Sequence, residues 1–313
     1  MRTLVFSDDY ECLLEALSIP LENGIDSKEI YAASLNGEQN KSPIVYGAGY
    51  WLRLKGKANA AFLPKVISNT LHQVIKQYNI SLVLIGGTKL GIDVAPRLAH
   101  KFGLDYVPNA IAVRISGDEV ITDRIVYSGK VIFREKLIRS PYIITVPPRM
   151  LEKPQEDASR KGEVIEVPLS LEDINIDILD IKEVKREVEI EKAQKIVSVG
   201  RGFKSKEDMK LAFELAELLK AEVGCSRPIA ADLKWLSEDR WIGLSGHKVR
   251  PDLYIAIGIS GQIQHIAGMR DSKIIVAINN DPDAPIFKYA DYGIVGDLYK
   301  VIPALINRLK KMK

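Results

Sequence analysis

Apolar positions along this chain fall into two alternating rhythms. Unbroken apolar runs predict strands at Thr3 to Phe6, Tyr31 to Leu35, Ile44 to Tyr46, Leu82 to Ile85 and Ile196 to Val199. Further runs follow at Leu253 to Ile259, Lys273 to Ile278 and Tyr292 to Val295. Runs without polar interruption suit strands covered on both faces, as in a parallel sheet. Between them the spacing turns helical, over Glu11 to Ile19, Phe62 to Tyr78 and Ile92 to Phe102. The second of these sets Val66, Leu71, Val74 and Ile75 on or near one face. A further helix is expected to start at Ser205, with Glu207 and Asp208 in its first turn, Leu211, Leu215, Leu218 and Leu219 as its buried stripe, and Gly224 as its stop. Short helices after Gln262 and from Pro285 to Ala290, then a long one from Asp297 to Lys310, complete the alternation.

Strands alternating with helices predict an α/β chain with doubly wound parallel sheets. Residues 110 to 146 break the rhythm with short β-like segments, read as antiparallel strands added to the first sheet. Residues 152 to 163 are polar and predict a mobile loop. From Ile181 to Lys195 charges mix without an apolar face; a linker fits better than the competing helix, because a strand follows at once. The expected domains are residues 1–185 and 193–313.

The length of 313 residues supports two domains, and 46% hydrophobic against 27% charged residues is ordinary for a globular chain. A net charge of +3 without a basic block argues against nucleic acid. Two cysteines, Cys12 and Cys225, make no disulfide framework and fit a reducing compartment. No apolar run is long enough to span a membrane, and MRTLVFSDDY enters a strand without a signal-like leader. The expectation is a cytoplasmic protein.

Candidate chemistry gathers at predicted strand ends, where open α/β sheets bind ligands. Leu253 to Ile259 ends in Ser260-Gly261, followed by Gln262, Gln264 and His265. This turn is small enough for a phosphate to approach and precedes a helix start whose amides attract anions. Ile242-Gly243-Leu244-Ser245 is a second tight turn, which by itself could equally be a plain loop. Arg201, between Gly200 and Gly202, and Arg227, between Ser226 and Pro228, are cations beside strand ends; either could be a solvated surface charge. His265 could be a core histidine, Asp297 a helix N-cap, and Cys225 plain packing. In the first half, Leu82 to Ile85 runs into Gly86-Gly87-Thr88 and then a helix, the skeleton of a nucleotide-binding unit. It lacks a third spaced glycine and a ribose-binding acid, which favours a simple turn.

The run from Tyr254 to Leu298, with SGQIQH and AINNDPDAPIF inside it, resembles the signature of the α subunit of electron-transfer flavoprotein, the FAD-carrying half of a heterodimer. The likeness is strongest from about Lys195 onward, visible from about Leu82 to Lys101, and slight before that. It implies an FAD-binding second domain and a first domain that packs on a β subunit. It further implies cofactor contacts from Arg201, Ser226, Arg227, Ile242, Gly243, Leu244, Ser245, Ser260, Gly261, Gln262, Ile263, Gln264, His265, Asn279 and Asp297. Among these the resemblance puts Ser245 near flavin N5, Arg227 over the ring, and His265 near the pyrimidine oxygen as cation or donor. Asn279 and Asp297 fall on the AMP side. The implied role is an electron carrier without turnover of its own, serving flavin dehydrogenases such as the acyl-CoA dehydrogenases of fatty acid β-oxidation and a quinone-linked acceptor. The rival readings are a subunit of an NAD or thiamine diphosphate enzyme and a non-redox nucleotide-binding module. The first would need a ribose-binding acid or a substrate-facing base, and neither stands out.

Overall fold

The five residues of β1 (Thr3–Ser7) are all buried, and this strand sits inside a parallel sheet with neighbours on both edges. The computed structural model describes residues 1–35, 41–56, 63–127, 130–172, 174, 176 and 187–312. Contacts divide the chain into a unit from Met1 to Ile181 and a unit from Lys182 to Lys313.

In the first unit β1 is flanked by β2 (Ile30–Leu35) and β4 (Leu82–Gly86); β3 (Tyr50–Lys55), β5 (Tyr106–Val107), β9 (Tyr142–Val146) and β10 (Glu163–Pro168) complete the sheet in the order β10-β3-β2-β1-β4-β9-β5. Helices α2 (Pro64–Tyr78) and α3 (Lys89–Phe102) pack Ile67, Leu71, Val94 and Leu98 against Leu4, Phe6 and Val83. The opposite face holds α1 (Tyr10–Glu22), whose Leu13 and Leu17 meet Val5 and Leu84. Burial on both faces explains why these strands read as unbroken apolar runs.

Several expectations are corrected here. Ile44 to Tyr46 is a 3₁₀ turn, Pro43–Tyr46, since Ser42 caps the N–H of Ile44 and Gly47 closes it at φ +112°. Strands β3 and β10 carry charges on an exposed face, which hid them from an apolar-run reading. The β-rich stretch separates: β6 (Ala110–Ser116), β7 (Glu119–Val126) and β8 (Val131–Leu137) form their own antiparallel sheet, while β9 joins the main sheet parallel to β4. Residues 152 to 162 form no regular element, but they are tied down: Asp157 N–H donates to the Val45 carbonyl at 2.9 Å and Lys41 pairs with Glu156 at 2.6 Å. Phe62 and the proposed linker's first part, residues 181 to 186, lie outside the described residues.

The second unit is a five-stranded parallel sheet in the order β12-β11-β13-β14-β15, built from β11 (Lys195–Val199), β12 (Glu222–Cys225), β13 (Leu253–Ile257), β14 (Ile274–Asn279) and β15 (Tyr292–Val295). Helices α4 (Met209–Leu219) and α6 (Leu298–Lys310) cover one face through Leu215, Ile302 and Ile306. On the other face α5 (Ile263–Met269) packs Ile266 and Met269 beside Ile190, Ile242 and Val249. Helix α4 starts later than expected. Asp208 accepts from the Ser205 N–H and from the Tyr299 hydroxyl, so residues 205 to 208 form an irregular turn. Its buried positions are Met209, Ala212, Leu215 and Ala216, with Leu211, Leu218 and Leu219 half-buried at the flank. It ends at Lys220, at φ +53°, so Gly224 is no stop: it lies inside β12, where a Cβ would meet Ile242 Cδ1 at 2.4 Å.

Candidate functional site

Every strand of the second unit points the same way, so its loops after β11, β12, β13, β14 and β15 share one edge. Most candidate residues follow these strand ends, and Asn279 is the last residue of β14. The 242–245 turn comes to the end of β12 through the Ile242 N–H, which donates to the Cys225 carbonyl at 2.9 Å. Close glycine packing joins several of these residues. A Cβ on Gly200 would lie 2.4 Å from the Gly258 carbonyl oxygen, which accepts from the Gly202 N–H at 3.0 Å. Arg201 stands exposed between these two glycines. After β12, the Ser226 N–H donates to the Val199 carbonyl at 2.9 Å, which buries Ser226 and leaves the next residue, Arg227, exposed. The Arg227 guanidinium sits 6.0 Å from the centre of the Trp241 ring, at the outer limit of a cation–π contact. A π-helical turn, Pro228–Asp232, follows, and such turns are frequent at functional sites.

The two tight turns meet across helix α5. A Cβ on Gly268 would fall 2.5 Å from the Gly243 nitrogen, so only glycine lets the helix approach this closely. Leu244 N–H donates to the Gln264 carbonyl at 2.6 Å, and Val249 N–H to the Gly268 carbonyl at 2.8 Å. Leu244, Ser245, Ser260, Gln262, Ile263 and Gln264 are exposed around this junction, while Ile242 is wholly buried and offers a ligand only its backbone. No side chain caps the start of α5, and the His265 N–H already donates to the Gln262 carbonyl at 2.9 Å, so the amides of Ile263 and Gln264 are the first-turn donors left for an acceptor. The set of hydroxyls, amides and two exposed arginines beside an uncapped helix start fits a dinucleotide cofactor with a pyrophosphate.

Three candidates hold structural posts. Gly261 has φ +86°, and a Cβ there would meet the Ile286 nitrogen at 2.3 Å. Its lack of a side chain is therefore required by the fold, whatever approaches from outside. The Asn279 amide donates to the Ile259 carbonyl at 2.9 Å and its oxygen accepts from the Asp281 N–H at 3.0 Å, which staples β14 to the turn after β13. Asp297 caps α6 by accepting from the Tyr299 N–H at 3.0 Å.

His265 is buried on the core side of α5, with Nε2 2.9 Å from the Tyr254 hydroxyl, and burial pushes its pKa down to about 4. Burial disfavours the charged ring, so of the two expected roles, cation or donor, the donor is the one this environment favours. Burial likewise pushes the Cys225 thiol up to about 12, so this cysteine stays protonated and fills the core.

Sequence reasoning missed Trp241, Gly258, Gly268 and Tyr254. Only Gly268 left a signal, a glycine interrupting an otherwise helical QHIAGM. It also missed Arg240, a buried cation that donates to the Val223 carbonyl at 2.8 Å and pairs with Glu187 at 3.1 Å. In the first unit the Gly86-Gly87 turn is held by close packing and a helix cap. Gly91 would put a Cβ 1.9 Å from the Gly86 carbonyl oxygen, and Thr88 caps α3 while also bonding Asp8.

Comparison with known proteins matches residues 189–270 to the electron transfer flavoprotein FAD-binding domain and residues 10–172 to the electron transfer flavoprotein domain. The second match reaches well into the N-terminal region, where the sequence alone showed little likeness. Electron transfer flavoprotein subunit alpha of Bacillus subtilis is 41% identical over 271 residues, 86% of this chain and 83% of the relative. Protein FixB of Escherichia coli O139:H28 is 36% identical over 312 residues, 98% of this chain and 97% of the relative.

Proposed function

Because the chain belongs to the electron transfer flavoprotein family as an α, FAD-binding subunit, we propose that it is an electron carrier that receives electrons from flavin dehydrogenases and passes them on. Its cofactor is FAD. The observation that carries the reading is the junction of the 242–245 and 260–265 turns through Leu244 and Gln264, inside the matched FAD-binding region. When bound, FAD supplies a ring that takes up and releases one or two electrons.

The chain's residues divide the remaining work. Ser260, Gln262, Gln264 and the open amides of α5 receive the pyrophosphate, as donors at an uncapped helix start favour an anion. Gly261 and Ile263 shape that turn rather than bond through side chains. The backbone of Ile242 to Leu244 would border the cofactor, and the exposed Ser245 hydroxyl would be the donor near N5. Arg227 would lie over the ring and Arg201 would also contact the cofactor, with Ser226 holding the strand end from which Arg227 projects. Their charge favours the electron-rich state by Coulomb attraction. Asn279 and Asp297 serve the AMP side while keeping their posts in the fold. His265 acts near the pyrimidine edge as a neutral group.

Residues 1–185 and 193–313 are the proposed functional domains, the first docking a β subunit and the second carrying FAD. The donors proposed are acyl-CoA dehydrogenases and their like, the acceptor a quinone-linked oxidoreductase, and the setting a reducing cytoplasm that keeps Cys12 and Cys225 as thiols. Among the described residues no helix is long and apolar enough to cross a membrane. Co-expression with a β subunit, followed by visible spectroscopy and chromatography of the released cofactor, tests the proposal. About one FAD per chain, reduced by a dehydrogenase and reoxidised by a quinone-linked acceptor, is expected. A purified complex without flavin, or with substrate turnover of its own, would overturn it.

A further inference from the structure

The loop that carries Leu244 and Ser245 is closed at its base. His247 N–H donates to the Trp241 carbonyl at 2.8 Å, and Gly243 N–H donates to the His247 carbonyl at 3.1 Å. Arg240 and His247 therefore stand at the two ends of this loop. Both are gripped by carboxylates from one short segment distant in sequence. Arg240 donates through Nε and Nη2 to Glu187 Oε1 at 3.2 and 3.1 Å. His247 Nδ1 lies 2.5 Å from Glu191 Oε1, where the ring N–H donates to the carboxylate.

Between the two glutamates Ile190 is wholly buried, in the same apolar cluster as Ile242 and Val249. The Glu187 N–H adds a bond to the Asp239 carboxylate at 3.0 Å. The segment thus has an apolar anchor with a polar grip on either side. An exposed ion pair contributes little, because two mobile side chains must be ordered to form it. Here the donors are already fixed. The Arg240 side chain is 10% exposed and donates to the Val223 carbonyl of β12 at 2.8 Å, and the His247 side chain is 18% exposed. Leu244 and Ser245 themselves are exposed, so their positions depend on the loop's backbone bonds and on its ends.

We propose that Glu187 and Glu191 are positioning residues, which strap the 241–246 loop at both ends through Arg240 and His247 and so hold the Leu244 backbone and the Ser245 hydroxyl in place for the cofactor. The consequence for the flavin rests on the FAD reading above. A strapped loop presents the Ser245 donor in one place. A loosened loop spends part of its time elsewhere, which weakens binding and deprives the reduced flavin of a hydrogen bond.

The test uses the full chain purified with its β subunit, as wild type, Glu187→Ala, Glu191→Ala, His247→Ala, the Glu191→Ala/His247→Ala double variant and Glu191→Gln. Peptides covering residues 241–247 should exchange amide hydrogens roughly tenfold faster in Glu187→Ala and Glu191→Ala, while peptides of β13 keep the wild-type rate. In Glu191→Ala the FAD dissociation constant should rise about fivefold, equal to ~1 kcal/mol. Its one-electron flavin equilibrium should shift about threefold toward the oxidised form, equal to ~28 mV. His247→Ala should match Glu191→Ala, and the double variant should be no worse than either, because all three remove one contact. Glu191→Gln keeps an acceptor for the ring N–H and should stay within about twofold of wild type. Wild-type exchange of the 241–247 peptides in Glu191→Ala overturns the strap, as does equal loosening of β13, which marks a general loss of stability. A loosened loop with unchanged FAD affinity and flavin equilibrium overturns the positioning role. If the wild type binds no FAD, the electron-carrier reading fails, and the exchange rates alone decide the strap. Should Glu191→Ala not fold, His247→Ala decides it by the same readings.

Discussion

Leu244 donates its backbone N–H to the carbonyl of Gln264 at 2.6 Å, and through this bond two turns distant in sequence become one surface. The bond depends on how closely α5 can approach, which Gly268 decides. Gly268→Ala adds a methyl 2.5 Å from the Gly243 nitrogen. Alanine normally stabilises a helix, but here overpacking should cost about 1–3 kcal/mol. Thermal unfolding and the flavin-to-protein absorbance ratio should fall together.

Gly261 and Ser260 are adjacent but should respond differently. Gly261→Ala meets both a left-handed φ of +86° and the Ile286 backbone, so it should destabilise by roughly 1–3 kcal/mol. Ser260 is exposed, and its backbone carbonyl alone holds Ile286. Ser260→Ala should therefore leave the urea midpoint unchanged and weaken FAD binding. Equal loss of stability in both variants would contradict this division.

Arg227 should govern the flavin potential rather than cofactor retention. Arg227→Ala is expected to keep FAD and lower the affected one-electron potential by roughly 40–130 mV, the equivalent of about 1–3 kcal/mol. Arg227→Lys should recover only part, because a point charge cannot reproduce flat stacking. Spectroelectrochemical titration of the three proteins at one pH and salt concentration is the measurement. Unchanged potentials in fully loaded Arg227→Ala would return this arginine to a surface role.

The buried neutral His265 makes stability depend on pH. Its folded pKa of about 4 lies below the reference of 6.5, so unfolding takes up a proton between those values. The contribution is complete above about pH 6.5 and is lost as pH falls toward 4, on the order of 3 kcal/mol in all. Urea midpoints should drop on going from pH 7.5 to 5. His265→Gln should show a shallower drop, and parallel curves would argue against a depressed imidazole.

Arg240 should matter more to stability than its ion pairs suggest. Arg240→Ala strips the Val223 carbonyl of its partner inside the sheet and breaks the contact to Glu187. The expected loss is about 2–4 kcal/mol by chemical unfolding. Glu187→Gln, on the exposed side of the same pair, should cost less than about 1 kcal/mol.

The sequence by itself determined the alternation of strands and helices, because strands buried on both faces need unbroken apolar runs and helices need their own period. It also determined the two glycine turns and the polar residues around them, since a phosphate site needs small residues and open amides at a strand end. Strands β3 and β10 escaped because an exposed face dilutes their pattern. The separation of β9 from the antiparallel strands escaped because partner choice is a long-range decision. Tertiary structure alone decided what the glycines are for. Gly261 yields to Ile286, Gly268 to Gly243 and Gly224 to Ile242, and no local window contains both members of such a pair. It likewise set the surroundings of His265: a histidine in a polar motif reads as a donor or cation, and its burial against Tyr254 is what pushes its pKa down to about 4. Sequence lists the groups available, whereas pKa and close approach depend on neighbours that folding brings from elsewhere in the chain.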